Sequence, residues 1–316
     1  MDIEYLLFLQ NLRDGMFAWL APICDWASKF AVSCWPLLLI CLIYWVLDRK
    51  QGKRILGGFG GGLLINGFLK LCFCVNRPWI RDARIQPYGD AKVAATGYSF
   101  PSGHSTWATG LLGGCSLWIK KHSRCLSGLL FLSVLLIMFS RNFLGVHTPQ
   151  DVIVGFLSTV FMMYVVTKIE DWTDENPERD KIVLVGGLLL CVLLVLFYTF
   201  KSYPLEYLPS GQLIVDPAKM RADSFEGIGF ISSYVICRYF ERRNFQFDKE
   251  MSMKSRLIIG CIAMIPMIFW MNSSVGFFET LVSRDFGKFI QFFGALFYVM
   301  IFVPWIMEKV HMFEKK

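Results

Sequence analysis

The residues with the clearest capacity for chemistry lie in the sequence SRNFLGVHTPQD, which runs from position 140 to position 151. His147 stands four residues before Asp151, and this spacing places both side chains on one face of a helix, within reach of each other. A carboxylate on one imidazole nitrogen fixes the tautomer and leaves the other nitrogen free to attack. Arg141 adds a planar guanidinium suited to a phosphate. Such residues also occur at ordinary membrane-helix ends, so their interpretation depends on the rest of the chain.

Two further groups of residues, each at the end of an apolar run, favour a phosphate site. Lys70 and Arg77 are seven residues apart, or two helical turns, which predicts that they share one face of a helix or its extension. Ser102 and Gly103 open the next apolar run, where free N–H groups at a helix N-terminus attract an anion and glycine allows close approach. His104 lies in the same turn and can donate a proton at neutral pH.

Taken in order, these groups read K-x6-RP, PSGH and SR-x5-H-x3-D. With every motif position present, the chain closely resembles the membrane phosphatases of the type 2 phosphatidic acid phosphatase superfamily, over roughly residues 30 to 200. The resemblance implies that His147 forms a phosphohistidine, that His104 protonates the departing oxygen, and that water then hydrolyses the intermediate. The phosphate-binding residues that it implies are Lys70, Arg77, Ser102, Gly103 and Arg141. It implies no metal and no cofactor, because cationic side chains neutralise the phosphate oxygens.

The composition is that of a membrane protein. The 316 residues are 55% hydrophobic and only 18% charged, with a mean hydropathy of +0.48, whereas soluble domains carry about 25% charged residues. Apolar runs of about 20 residues recur, and a run of that length spans a bilayer. Most of the ten cysteines lie inside these runs, where a thiol packs as a small hydrophobe, and no His/Cys set has zinc spacing. The sequence therefore predicts a lipid environment, no metal and no nucleic-acid partner.

We predict an all-α polytopic membrane helical bundle with nine spanning segments. These are 30–47, 55–75, 103–119, 126–144, 149–167, 182–200, 224–240, 256–274 and 286–306. The superfamily resemblance implies a six-helix phosphatase core, which leaves about three extra C-terminal transmembrane helices. Two parts follow: a core at 1–200, opened by an interfacial amphipathic segment at 1–29, and a three-helix extension at 201–316. The seventh segment fits least well, because Glu226 lies inside it.

The distribution of basic residues predicts which side of the membrane the motifs face. With nine crossings, more than half of the 32 lysines and arginines fall in alternate loops and in the C-terminal tail. By the positive-inside rule that side is cytoplasmic. The three motifs then face outward, to the periplasm, the cell exterior or a lumen. The expected location is the bacterial cytoplasmic membrane, or the endoplasmic reticulum if the chain is eukaryotic.

The favoured function is removal of phosphate from a lipid phosphate or diphosphate at the non-cytoplasmic face of the membrane. A soluble sugar phosphate is an alternative substrate, because the helix count also resembles the glucose-6-phosphatase branch, and sphingosine-phosphate phosphatases have extra helices too. The phosphoryl group could instead pass to another lipid, or the chain could be a transporter that only binds phosphate. In the loop that roofs the predicted pocket, Arg81, Arg84 and Tyr88 either contact a headgroup or form a solvated cap. The sequence leaves homo-oligomer formation open.

Overall fold

The computed structural model describes residues 2–95, 97–244 and 251–314, and these ranges contain helices and no strand beyond an isolated bridge. The helices are α1 (Asp2–Asp14), α2 (Leu20–Ala31), α3 (Cys34–Leu47, π-helical from Ile43), α4 (Arg49–Phe73), α5 (Pro78–Arg81), α6 (Ala91–Ala94), α7 (Gly103–Ala108, a π-helical turn at Thr109–Gly113, then Gly114–Ile119), α8 (Arg124–Phe143), α9 (Pro149–Glu175), α10 (Arg179–Phe200), α11 (Pro217–Asn244), α12 (Met253–Leu281) and α13 (Arg284–Phe297, a π-helical turn at Tyr298–Phe302, then Val303–Glu314).

Six helices in the described part of the chain are long and apolar enough to cross a membrane: α4, α8, α9, α10, α12 and α13. They coincide with six of the nine predicted segments, and the prediction of an all-α polytopic membrane fold is confirmed. The first predicted segment, 30–47, has a different shape, because the chain breaks after α2 and bends by 50° into α3. Segments 103–119 and 224–240 are helical as predicted and correspond to α7 and α11. Helix α7 is too short, and α11 too polar, to be identified as a membrane span from length and apolarity alone.

Helix α4 lies at the centre of the bundle, with α9 and α11 packed against it. Its glycines make this contact possible. A Cβ on Gly58 would stand 2.8 Å from the side chain of Met163 in α9, and one on Gly60 would stand 2.3 Å from the ring of Phe230 in α11. Small residues let helix backbones approach closely in lipid, so the glycine-rich run fixes the spacing of three helices.

Helix α11 can contain charged residues because they form ion pairs inside the protein. Arg238 is 1% exposed and forms ion pairs with Glu170 of α9 and with Asp180 of α10, the latter at 2.6 Å. The Tyr234 hydroxyl donates to the same Glu170 carboxylate at 3.0 Å. Buried charges are tolerated when they are paired and hydrogen-bonded. The seventh predicted segment therefore packs inside the bundle with its charged residues paired and with apolar residues such as Ile228 and Phe230 in the core.

The N-terminal segment is more deeply integrated than its predicted interfacial position implies. α2 packs against α8, and Arg13 at the end of α1 is 4% exposed and donates to two backbone carbonyl oxygens. Asp2 pairs with Arg81 at 2.7 Å, and Glu4 pairs with Arg84 at 3.0 Å. Arg81 and Arg84, which belong to the loop over the predicted pocket, therefore bind α1 and fix the position of this loop.

Candidate active site

His147 and Asp151 meet at the start of α9 through a helix cap. Thr148 is the N-cap, and its Oγ1 accepts a hydrogen bond from the Asp151 N–H, while its own N–H donates to Asp151 Oδ2 at 2.8 Å. The same Oδ2 accepts from the Ser99 hydroxyl at 2.6 Å and lies 3.3 Å from His147 Nδ1. Both His147 and Asp151 are almost fully buried. Three donors thus hold the carboxylate, which fixes its position against the imidazole ring.

The second ring nitrogen of His147 faces Arg77. Arg77 Nη1 lies 2.9 Å from Nε2, and a guanidinium can only donate, so Nε2 accepts and the ring proton sits on Nδ1, facing Asp151. Burial lowers the pKa of His147, and the Arg77 charge lowers it further, against an opposing contribution from Asp151. His147 is therefore neutral at neutral pH, with its lone pair on the nitrogen that faces a cation.

Lys70 and Arg77 do not share one helix face, contrary to the prediction. α4 ends just before Cys74, which has left-handed backbone geometry with φ of 47°. Arg77 lies beyond this break, immediately before the proline that begins α5, and a residue before proline is kept out of the α-helical region. Its Nε donates to the carbonyl oxygen of Gly97 at 2.8 Å. The break turns the Arg77 side chain towards His147.

The PSGH segment lies between these cations and α9. Lys70 Nζ donates to the carbonyl oxygen of Pro101 at 3.0 Å. The Ser102 N–H donates to the carbonyl oxygen of Asp151 at 2.9 Å, so it is not among the free N–H groups predicted for an anion. Its hydroxyl oxygen instead caps α7 by accepting from the Ser105 N–H. Ser102 therefore ties α7 to the start of α9.

Gly103 and His104 stand beside open space at the start of α7. Among the described residues, no atom outside the adjoining backbone lies within 4 Å of the position that a Cβ on Gly103 would take. The His104 side chain makes no hydrogen bond with any residue in the described ranges. Both residues thus have groups available to a bound molecule.

Arg141 supplies a third buried cation, in the last turn of α8. It is 3% exposed, and its Nη1 donates to the hydroxyl of Ser28 in α2. Its Nε is also buried and has no hydrogen-bond partner among the described residues. Arg141, Arg77 and Lys70 all lie close enough to His104 to act on it electrostatically. Leaving a charged donor unpaired in a protein interior is costly, and a phosphate would satisfy it.

Comparisons with known proteins give a family match for the middle of the chain. Residues 52–174 match the PAP2 superfamily. We refer to residues 52–174 as the PAP2 domain. It is also 27% identical over 164 residues to phosphatidylglycerophosphatase B of Bacillus subtilis (strain 168), an alignment that covers 48% of this chain and 76% of that protein. No solved structure gave a significant match. All eight residues predicted for the site lie inside the PAP2 domain, whereas α11 to α13 lie beyond it.

Sequence reasoning missed several residues that shape the site of the PAP2 domain. Ser99 binds the Asp151 carboxylate, and Asn142 Nδ2 donates to the carbonyl oxygen of His147 at 2.9 Å. Gly155 lets α9 approach the PSGH segment, since a Cβ there would stand 2.7 Å from the carbonyl oxygen of Ser102. Only the cap had a readable signal, because Thr148 three residues before Asp151 resembles a capping box.

An apolar cavity of about 460 Å³ adjoins the PAP2 domain at Arg77. Its far wall comes from the segment between α10 and α11, and it includes Leu208, Leu213, Ile214 and Val215. Residues 201–216 lie outside the matched domain, so the extension contributes directly to the surroundings of the site. Across residues 2–95, 97–244 and 251–314, no group of three His, Cys, Asp or Glu side chains is arranged to hold a metal ion.

Proposed function

We propose that this protein is an integral-membrane phosphatase that hydrolyses a lipid phosphate monoester or diphosphate through a phosphohistidine. The observation that carries the proposal is the state of His147, whose Nδ1 faces a carboxylate and whose Nε2 faces a cation. The PAP2 domain and the similarity to a protein named phosphatidylglycerophosphatase B support a lipid phosphatase. Phosphatidylglycerol phosphate is therefore the first substrate to test.

The first step forms a bond between His147 Nε2 and phosphorus and breaks the bond from phosphorus to the ester oxygen. The ring becomes positively charged because Nδ1 keeps its proton, and Asp151 stabilises that charge. His104 gives a proton to the departing alcohol. Before the attack, Arg77 must exchange its contact with Nε2 for one with a phosphate oxygen, so phosphate binding itself frees the nucleophile.

The second step reverses the roles. A water molecule loses its proton to His104 and attacks phosphorus, the bond between phosphorus and Nε2 breaks, and the electron pair returns to His147. Lys70, Arg77 and Arg141 neutralise the phosphate oxygens in both steps, the task that metal ions perform in other phosphoryl-transfer enzymes. In our proposal the reaction needs no metal, and it takes place at the non-cytoplasmic face.

The test is phosphate release and phosphoenzyme trapping by purified variants in detergent. His147→Ala should abolish both. His104→Ala should lose turnover of an alkyl phosphate but keep more phosphoenzyme formation from an aryl phosphate, whose leaving group needs no proton. His122→Ala, at an exposed position, is the matched control and should behave as the wild type.

Vanadate binding by each variant shows that the site is still folded. Near-normal turnover by His147→Ala would exclude the phosphohistidine mechanism. Phosphate binding without turnover by the wild type would instead favour a transporter.

A further inference from the structure

A second cavity, of about 210 Å³, joins the PAP2 domain to the C-terminal extension. It lies between α4, α7, α11 and α13, and its lining includes Asn66, Asp223, Glu226 and Lys288 together with the side chain of Trp107. Ionisable residues inside a membrane bundle are costly and generally have a functional role. Three of these polar residues lie outside the matched domain, so nothing in the family resemblance accounts for them.

The position of this cavity relates it to the leaving group. In an in-line displacement the leaving oxygen departs on the side of phosphorus opposite the nucleophile, and here that side is marked by the proton donor His104. Gly103, which precedes His104, lines the cavity, and so does Trp107, three residues further along the same helix. Lys70 lines it as well. An alcohol that takes a proton from His104 therefore stands at the mouth of this cavity.

The charges in the cavity leave acceptors without donors. Lys288 Nζ binds one oxygen of Glu226 at 2.6 Å and one oxygen of Asp223 at 3.2 Å. The second oxygen of each carboxylate accepts no hydrogen bond from a described residue, and the Asp223 and Glu226 side chains are 33% and 19% exposed, so these oxygens are open to a bound molecule. Two carboxylates thus share one ammonium group, although Arg221 of α11 and Asp285 of α13 already form an ion pair between the same two helices at 2.8 Å. Carboxylate oxygens that face a cavity can accept hydrogen bonds from hydroxyl groups.

We infer that this cavity is a subsite for a leaving alcohol that carries a hydroxyl group next to the phosphate ester. The inference rests on the proposed phosphatase function and deepens it. Asp223 and Glu226 accept hydrogen bonds from the hydroxyl, and Trp107 covers the carbon face of the alcohol. At about 210 Å³ the cavity holds a small polyol and not an acyl chain. The terminal glycerol of phosphatidylglycerol phosphate carries such a hydroxyl group on the carbon next to the ester carbon, and the nearest hydroxyl group of glucose 6-phosphate lies one carbon further away, on C4.

The test compares two soluble phosphate monoesters that differ only in hydroxyl groups, glycerol 3-phosphate and propyl phosphate, in detergent-solubilised full-length protein. The wild type should favour glycerol 3-phosphate in kcat/KM by about 10- to 100-fold, the range expected for hydrogen bonds to charged acceptors. Glu226→Gln, and the double variant with Asp223→Asn, should lower this ratio towards one. Because the ratio is taken within one preparation, it does not depend on the fraction of protein that is folded.

The control variant is Glu279→Gln in α12, a half-exposed carboxylate paired with Arg284, and it should keep the wild-type ratio. Equal hydrolysis of the two esters by the wild type, or an unchanged ratio in the double variant, would overturn the subsite while leaving phosphatase function intact. Absence of turnover and of phosphoenzyme with every substrate would refute the proposed function itself.

Two further pairs distinguish the sources of the hydroxyl. The lipid pair is phosphatidylglycerol phosphate and its analogue with propanediol in place of the terminal glycerol. The sugar pair is glucose 6-phosphate and cyclohexylmethyl phosphate. A preference for the hydroxylated member of either pair supports the subsite, and the larger preference identifies the source.

Discussion

Replacing Asp151 with asparagine removes one charge and leaves the shape of the site almost unchanged. The asparagine oxygen can take the place of Oδ2 and still accept from the Thr148 N–H and the Ser99 hydroxyl. The His147 Nδ1–H then donates to a neutral oxygen at the same place, so the tautomer is kept. Asp151 opposes the lowering of the pKa of His147, and its loss therefore leaves the ring even more fully neutral. The ground state should retain its nucleophile.

The substitution should destabilise the transition state much more than the ground state. As Nε2 bonds to phosphorus, the ring gains a positive charge 3.3 Å from Oδ2. With an effective dielectric constant of about 20, a full charge pair at that distance is worth about 5 kcal/mol. Each 1.36 kcal/mol changes a rate about tenfold, so we expect Asp151→Asn to lower kcat by about three to four powers of ten. KM should change little, because the phosphate-binding cations remain.

The assay is steady-state hydrolysis of an aryl phosphate and of phosphatidylglycerol phosphate in mixed micelles, with vanadate affinity as the measure of an intact site. Asp171→Asn is the matched control on the same helix, because Asp171 is half-exposed and pairs with Arg54. Such pairs contribute little, so this variant should stay within about twofold of the wild type. If Asp151→Asn kept more than a tenth of the wild-type kcat, the carboxylate would not be stabilising charge on His147.

Three other predictions concern metal, pH and orientation. Activity should survive excess EDTA and be inhibited by orthovanadate, whereas loss on chelation with recovery in magnesium would contradict the cationic site. Burial and Arg77 lower the pKa of His147, so the acid limb of the pH profile of kcat/KM should lie below the ordinary histidine pKa of about 6.5. Arg77→Ala should move this limb to higher pH. If the limb did not move, it would report the titration of a group other than His147. In a background without other reactive cysteines, Asp90→Cys should react with an impermeant thiol reagent from outside and Lys121→Cys only after the membrane is opened, and the reverse pattern would invert the orientation.

The sequence predicted that His147 and Asp151 lie close together, but not the local geometry that brings them together. The proximity of His147 and Asp151 was predicted from helical spacing, but His147 precedes the helix, and the two meet because Asp151 folds back as part of the Thr148 cap. The prediction that Lys70 and Arg77 share one helix face was wrong for a similar reason. A left-handed Cys74 ends the helix between them, and cysteine gives no sequence signal for that conformation.

Contacts between distant segments could not be read from the sequence at all. Ser99 reaches Asp151 across 52 positions, and Ser28 reaches Arg141 across 113. Neither serine lies in a motif, and each depends on how whole helices pack. The same is true of α11. Its charged residues are explained only by the ion pairs of Arg238 with Glu170 and Asp180, which lie on two other helices.

That pairing has a consequence for how the protein is made. Ionisable residues within a membrane segment are unfavourable unless they are paired, and α11 carries both Glu226 and Arg238, so it would enter the bilayer poorly by itself. Its partners in α9 and α10 are synthesised earlier, when Glu170 can pair with Lys53 of α4 but Asp180 still lacks the arginines of α11 that pair with it. Insertion of α11 therefore completes these ion pairs, and a chain that stops after α10 should be less stable in the membrane than the full chain.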